Sequence, residues 1–164
     1  ILSPDFTKDD FYKGWQVHQI CDYIQDEARE DLFPGLFLKE EVGSNEEQWV
    51  FSYATKILQD MDDTQRFYID KYIKNLNYGL CPNSESKEDI QRYQRIIKDL
   101  YLGGQKPTFE NYLEMWFAFG LPKDLAKKII DVAKEMHDNT ETMNLISSQF
   151  EKMKEVYFNR CNLV

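Results

Sequence analysis

Glycine, proline, cysteine and histidine are all scarce in this chain. Its 164 residues include 7 Gly, 5 Pro, 3 Cys and 2 His. With so few glycines and prolines, a turn-rich all-β sandwich is not expected. No apolar run approaches the roughly 20 residues that a membrane-spanning helix needs, so a soluble protein is predicted.

Basic charge is also in deficit, since 20 Lys and Arg stand against 29 Asp and Glu, for a formal net charge of −9. Binding to nucleic acid or to an anionic membrane surface depends on a surplus of basic groups, so neither partner is expected. The chain is well supplied with apolar side chains, because 42% of its residues are hydrophobic and 15% are aromatic, which excludes intrinsic disorder. One domain spanning 1–164 and a monomeric state are predicted.

Apolar residues recur at helical spacing along nearly the whole chain. Helix starts are predicted at Thr7, Ser44, Lys87, Pro107 and Pro122, helix ends at Pro34, Cys81, Gly103 and Gly120, and a turn at Asp62-Asp63. The apolar face of the first helix is predicted to contain Val17, Ile20, Cys21, Ile24 and Ala28. The sequence therefore predicts an all-α, single compact domain of about seven helices.

Residue clusters typical of catalysis are missing from the sequence. His18 and His137 are too isolated to form a nucleophile–base pair, and no glycine-rich phosphate loop or zinc-binding histidine motif is present. The acidic run 60–63 lacks the glycine and the twelfth-position glutamate of a calcium loop, so it is interpreted as a solvated helix start. We expect no enzyme activity, no cofactor and no metal.

The stretch 109–119 is unusually rich in large apolar side chains. It contains Phe109, Tyr112, Leu113, Met115, Trp116, Phe117 and Phe119. Because apolar residues cover almost its whole circumference, this helix is predicted either to lie in a packed core or to line a cavity for a small ligand. The ligand-binding residues predicted by the second interpretation are Tyr112, Trp116, Phe117 and Phe119, with Trp15 and His18 from the first helix.

Cys21, Cys81 and Cys161 lie too far apart in the sequence for a CxxC motif. They allow one disulfide with one leftover thiol, or three free, buried thiols in a cytosolic protein. A Cys21–Cys81 disulfide would close a loop of about 60 residues and stabilise the fold by roughly 4 kcal/mol. The chain begins at Ile1 without a signal segment, which fits a mature secreted protein or a trimmed chain.

Two stretches of the chain match a known pattern: Trp49 with Asp63-Thr64-Gln65 ahead of a helix, and the ending Tyr157-Phe158-Asn159-Arg160-Cys161. They resemble the insect odorant-binding superfamily, and more closely its salivary ligand-scavenging branch in blood-feeding flies. Cys21 likewise stands in the first helix, where those domains have a cysteine. Where the family has Cys-x-x-x-Cys after its Thr-Gln pair, this chain has Arg66 and Asp70.

The resemblance implies a secreted, α-helical protein whose cavity binds a small hydrophobic or amine-bearing host mediator. It also implies a disulfide framework, in which Cys81 would take over as the partner of either Cys21 or Cys161. The alternative hypothesis is a secreted effector that binds a host or self protein, because the acidic balance would steer the chain toward a basic partner surface. An exposed aromatic patch is expected under that alternative.

Overall fold

The computed structural model describes residues 10–34, 46–74, 86–102 and 106–161. Helices alone, and no strand, occur among these residues, so the predicted all-α class is confirmed. The seven helices they contain are α1 (Asp10–Leu32), α2 (Glu46–Arg66), α3 (Asp70–Lys74), α4 (Lys87–Leu102), α5 (Phe109–Ala118), α6 (Lys123–His137) and α7 (Thr140–Cys161). Not one of the described helices is both long enough and apolar enough to cross a membrane.

Contacts within the chain group it into two compact units. The terminal unit comprises Ile1–Trp49 together with Asn144–Val164, and the central unit comprises Val50–Met143. Both α2 and α7 run across a boundary between these units. The prediction of one domain over 1–164 therefore stays a prediction.

The terminal unit contains an apolar contact between α1 and the second half of α7. Its members recur at helical spacing on each helix: Ile20, Ile24 and Ala28 with Met153 and Val156. Ile24, Ala28 and Val156 are buried, and the other two are partly buried. An amphipathic helix is stable when a partner covers its apolar stripe, and α7 covers the stripe of α1 in this way.

The predicted apolar face of α1 is only partly right. Val17 is exposed, because the buried cluster begins one turn later at Ile20. Cys21 is exposed with a free thiol, so the prediction that this thiol is buried is wrong. The Cys21 side chain lies about 100° around the helix from that of Ile20 and therefore points away from the cluster. Cys81 and the side chain of Cys161 lie outside the described residues. The described part of the chain therefore gives the Cys21–Cys81 disulfide no support, and the pairing stays a prediction.

In the central unit, α2 continues further than its sequence suggests. The predicted turn at Asp62-Asp63 is wrong, because the helix runs on to Arg66. The Arg66 guanidinium lies 2.8 Å from the Asp62 carboxylate, one turn back. An ion pair at this spacing stabilises a helix, and a basic side chain in the last turn also interacts favourably with the helix dipole.

Five of the other predicted helix boundaries are confirmed, and four lie where the structure describes no residues. The starts at Lys87, Pro107 and Pro122 and the ends at Pro34 and Gly120 agree with the structure to within two residues. The boundaries at Thr7, Ser44, Cys81 and Gly103 fall outside the described residues.

Two local signals fix the ends of α5. The Thr108 hydroxyl accepts a hydrogen bond from the Asn111 main-chain N–H at 3.3 Å, and Asn111 Oδ1 accepts one from the Thr108 N–H at 2.9 Å. This reciprocal pair satisfies two amides that the first helical turn leaves open. After the helix, Gly120 adopts a φ of +85°, which other residues rarely adopt. The helix between them packs against both α4 and α6.

Candidate functional site

A buried hydrogen-bond cluster joins three helices of the central unit. The Tyr101 hydroxyl of α4 donates to Asp60 Oδ2 of α2 at 2.6 Å. The Tyr112 hydroxyl of α5 donates to the same oxygen, and Tyr112 is only 2% exposed. We call Asp60, Tyr101 and Tyr112 the tyrosine–aspartate cluster. One carboxylate oxygen thus fixes the positions of two helices relative to a third.

Burial controls the ionisation of this cluster. It raises the pKa of Asp60, although the two tyrosine hydrogen bonds act in the opposite direction. The pKa values of Tyr101 and Tyr112 are raised far above the ordinary range, first by burial and then by the negative charge of Asp60. Both phenols therefore stay protonated near neutral pH and remain hydrogen-bond donors. Since one carboxylate oxygen accepts both hydroxyls, the cluster is suited to positioning α4 and α5 relative to α2.

The acidic run 60–63 lies in the last two turns of α2, which corrects its interpretation as a solvated helix start. Asp60, Asp62 and Asp63 are all half-buried. The pKa of Asp63 is raised by burial and by the charges of Asp62 and Asp60, and it is lowered in part by Arg66 and by a 3.4 Å hydrogen bond from Gln59. The run therefore places three half-buried carboxyl groups close together at the end of α2.

A half-open groove of about 160 Å³ lies between α4 and α5. We call it the α4–α5 groove. Its lining residues are Ile96, Asp99 and Leu100 of α4 and Asn111, Glu114, Met115 and Ala118 of α5. Asp99, Asn111 and Glu114 are exposed, whereas the other members are buried or half-buried. The groove therefore combines two accessible carboxylates with an apolar surface.

The two walls of the groove are connected at both ends. Tyr101 and Tyr112 of the tyrosine–aspartate cluster directly follow the lining residues Leu100 and Asn111 in the chain. At the other end, the Arg92 guanidinium of α4 donates to the main-chain carbonyl of Ala118 in the last turn of α5. These two connections limit how far α4 and α5 can separate.

The predicted ligand-binding residues of α5 lie mostly against other rings. Tyr112 belongs to the tyrosine–aspartate cluster, and Phe117 is half-buried. The Trp116 ring meets Tyr53 edge-on at 5.2 Å, and Phe119 packs on Tyr93 at 5.3 Å. None of these four predicted residues is among those that line the α4–α5 groove.

Trp116 keeps one feature that fits its predicted ligand-binding role. Its indole N–H is buried and has no hydrogen-bond partner among the described residues. Leaving a buried donor unpaired costs free energy, so an acceptor that reached this site would be bound favourably.

The two residues predicted from α1 belong to the terminal unit. His18 is exposed, and its Nε2 lies 3.3 Å from the Asp22 carboxylate one turn further along the helix. The side chain of Trp15 lies outside the described residues. A joint contribution of Trp15 and His18 to one site with α5 stays a prediction.

Sequence reasoning missed Asp60 and the carboxylates of the groove. A signal for Asp60 existed, because it follows the buried Ile57 by three residues and therefore falls on the apolar face of α2. No comparable signal existed for Asp99 and Glu114, since an exposed acid on an amphipathic helix is ordinary. Their proximity depends on how α4 packs against α5.

The described residues contain no group of three or more His, Cys, Asp or Glu side chains arranged to hold a metal ion. Comparison of the chain with models of known protein families, with curated proteins and with solved structures finds no match. The resemblance to the odorant-binding superfamily therefore stays a hypothesis that depends on the quoted residues.

Proposed function

We propose that this protein is a secreted, non-enzymatic binding protein that holds a small amine-bearing ligand in the α4–α5 groove. The composition of the groove supports this proposal, because two exposed carboxylates, Asp99 and Glu114, line it together with apolar side chains. A protonated amine donates charge-assisted hydrogen bonds to carboxylates, and a short apolar body gains free energy by leaving water. Secretion and ligand scavenging are what the resemblance to the odorant-binding superfamily implies.

A wholly hydrophobic ligand, which the sequence also allowed, fits the groove less well. Trp116 and Phe119, two of the rings predicted to enclose it, pack on Tyr53 and Tyr93. The accessible surface between α4 and α5 carries acidic groups, which an uncharged ligand would desolvate without compensation. The groove therefore favours the amine-bearing class.

The size of the groove limits both the ligand and its affinity. Its volume of about 160 Å³ is below the roughly 300 Å³ at which drug-sized pockets begin, so an amine with one ring or a short alkyl chain is expected. About ten non-hydrogen atoms contributing roughly 0.5 kcal/mol each would give a Kd on the order of 0.2–1 mM. A carrier of this affinity acts stoichiometrically and at high protein concentration.

Isothermal titration calorimetry with 2-phenylethylamine and with 2-phenylethanol tests the proposal, because these probes share an apolar body and differ in charge. The test variant is Asp99→Asn with Glu114→Gln. The matched control is Asp131→Asn with Glu135→Gln, which removes the same charge from exposed positions on α6 that do not line the groove.

We expect the wild-type chain to bind the amine with a Kd of roughly 1 mM or below and to bind the alcohol more weakly. The groove variant should weaken amine binding at least about fivefold, whereas the control should change it less than about twofold. Equal affinity for the two probes, equal losses in both variants, or no heat of binding would refute the proposal.

A further inference from the structure

Three large aromatic side chains are exposed in one short stretch that begins directly after α2 and continues into α3. Phe67 is 44% exposed, Tyr68 73% and Tyr72 67%. Single exposed aromatics are common on protein surfaces, but three within six residues form a local patch. We call these rings, together with Lys71 and Lys74, the α3 patch.

The backbone under the α3 patch is held by hydrogen bonds. The Phe67 N–H donates to the Asp63 carbonyl at 2.8 Å, and the N–H groups of Tyr72 and Ile73 donate to the Ile69 carbonyl at 2.9 and 3.1 Å. The α3 helix also packs against α4. Aromatic side chains on a fixed backbone lose little conformational entropy when they bind, which suits them to anchor a partner.

The charge of the α3 patch is opposite to that of the whole chain. Lys71 and Lys74 are exposed, and the Lys71 ammonium lies 5.3 Å from the centroid of the Tyr72 ring. Arg66 pairs with Asp62, so within 67–74 two basic residues, Lys71 and Lys74, stand against one acidic residue, Asp70, whereas the chain carries a formal net charge of −9. A partner attracted to this surface would therefore be acidic, in contrast to the basic partner that the overall charge suggests.

We propose that the α3 patch docks an acidic peptide segment of a partner protein, through its exposed rings and lysine side chains. At roughly 200 Å² for each fully exposed side chain, the three rings offer about 350 Å² of surface. That area is less than half of one side of a standard interface, so a transient contact is expected.

A peptide fits this surface better than a membrane or a nucleic acid does. An anionic bilayer or a nucleic acid presents negative charge over a wide area, which the acidic remainder of the chain would repel. A short acidic segment engages the α3 patch alone. The inference is independent of the amine-binding proposal, because no residue of the patch lines the α4–α5 groove.

The test is selection of a random 12-residue peptide library displayed on phage against the full chain, with counter-selection on the Tyr68→Ala/Tyr72→Ala variant. Enriched peptides are then synthesised, labelled and titrated by fluorescence anisotropy. A second variant, Lys71→Glu/Lys74→Glu, tests the charge. The matched control is Tyr157→Ala/Phe158→Ala, which removes an adjacent pair of exposed aromatics from α7. All of these side chains are exposed, so each variant should keep the fold, which circular dichroism checks for every variant.

We expect the enriched peptides to be rich in Asp and Glu, and both patch variants to weaken their binding at least about tenfold. The α7 control should change binding less than about twofold, and no patch variant should alter 2-phenylethylamine binding. Enrichment of basic or uncharged peptides, or no enrichment that depends on the patch, would overturn the inference. So would binding through the same residues to phosphatidylserine vesicles or to single-stranded DNA in the absence of peptide binding.

Discussion

Removing one oxygen atom, in the variant Tyr112→Phe, tests whether the tyrosine–aspartate cluster stabilises the central unit. Tyr112 is 2% exposed, and its hydroxyl donates to the Asp60 carboxylate. Phenylalanine fills the same space, so the variant loses a hydrogen bond without opening a large cavity. Hydrogen bonds to charged groups contribute about 1.5–3 kcal/mol, and the remaining donor, Tyr101, limits the loss. We therefore expect a decrease of about 2 kcal/mol in the free energy of unfolding.

Guanidinium titrations followed by circular dichroism and by tryptophan fluorescence measure this loss. The two probes must give coincident transitions before a single free energy is assigned, because the chain forms two units. In thermal unfolding, the same loss corresponds to a decrease of roughly 4–8 °C in Tm for a chain of this length. The matched control is Tyr68→Phe, which removes a hydroxyl from an exposed ring and should leave stability unchanged.

A double-mutant cycle with Tyr101→Phe sharpens the test. After the first substitution Asp60 keeps one tyrosine donor, so the second substitution should cost more in the variant than in the wild type. We expect a coupling energy between about 0.5 and 3 kcal/mol. If Tyr112→Phe were within about 0.5 kcal/mol of wild type and the cycle were additive, the reasoning about this cluster would be refuted.

Two further predictions follow from Asp60 and from the glycines. Because the folded-state pKa of Asp60 is raised, the folded protein binds this proton more tightly than the unfolded chain does, so stability rises as pH falls from the raised pKa toward about 3.9. In urea titrations across this window, wild type should gain stability relative to Asp60→Asn, and the opposite slope would contradict the assignment. Gly120→Ala should lower the free energy of unfolding by roughly 1–2 kcal/mol, since φ there is +85° and nothing within 4 Å contacts the added Cβ. Gly14→Ala, inside α1 and equally free of steric obstruction, should instead raise the free energy of unfolding by about 0.5–1 kcal/mol. If thermal unfolding showed that both substitutions shift Tm in the same direction, the explanation from the φ angle of Gly120 would be refuted.

The helices show which boundaries a sequence can predict. Thr108 and Gly120 bracket α5 because their effects are local: one side chain satisfies open amides, and one residue tolerates a positive φ. The end of α2 could not be placed in this way. Its acidic residues suggest a turn, but Tyr101 and Tyr112, distant in the sequence, hydrogen-bond to Asp60, and Arg66 pairs with Asp62.

The aromatic helix shows the limit of composition as evidence. Its apolar residues predicted a helix without a solvated face, yet Glu110, Asn111 and Glu114 are exposed along one side of α5. The rings of Trp116 and Phe119 pack on neighbours from α2 and α4. Which rings come into contact depends on how the helices pack, and the local sequence pattern does not determine that packing.

The scarcity of glycine and proline and the 3.6-residue spacing of apolar side chains determined by themselves that this protein is all-α, because helix formation depends on interactions between near neighbours in the chain. Only the tertiary structure placed Asp60 between two tyrosines and brought Asp99 and Glu114 to one groove. Asp60 is 41 and 52 positions from its two tyrosines, and Asp99 and Glu114 are 15 positions apart. No local preference selects among the many pairs that such separations allow. The deficit of basic charge is likewise a property of the whole chain, whereas the basic α3 patch exists because the fold leaves one short segment exposed.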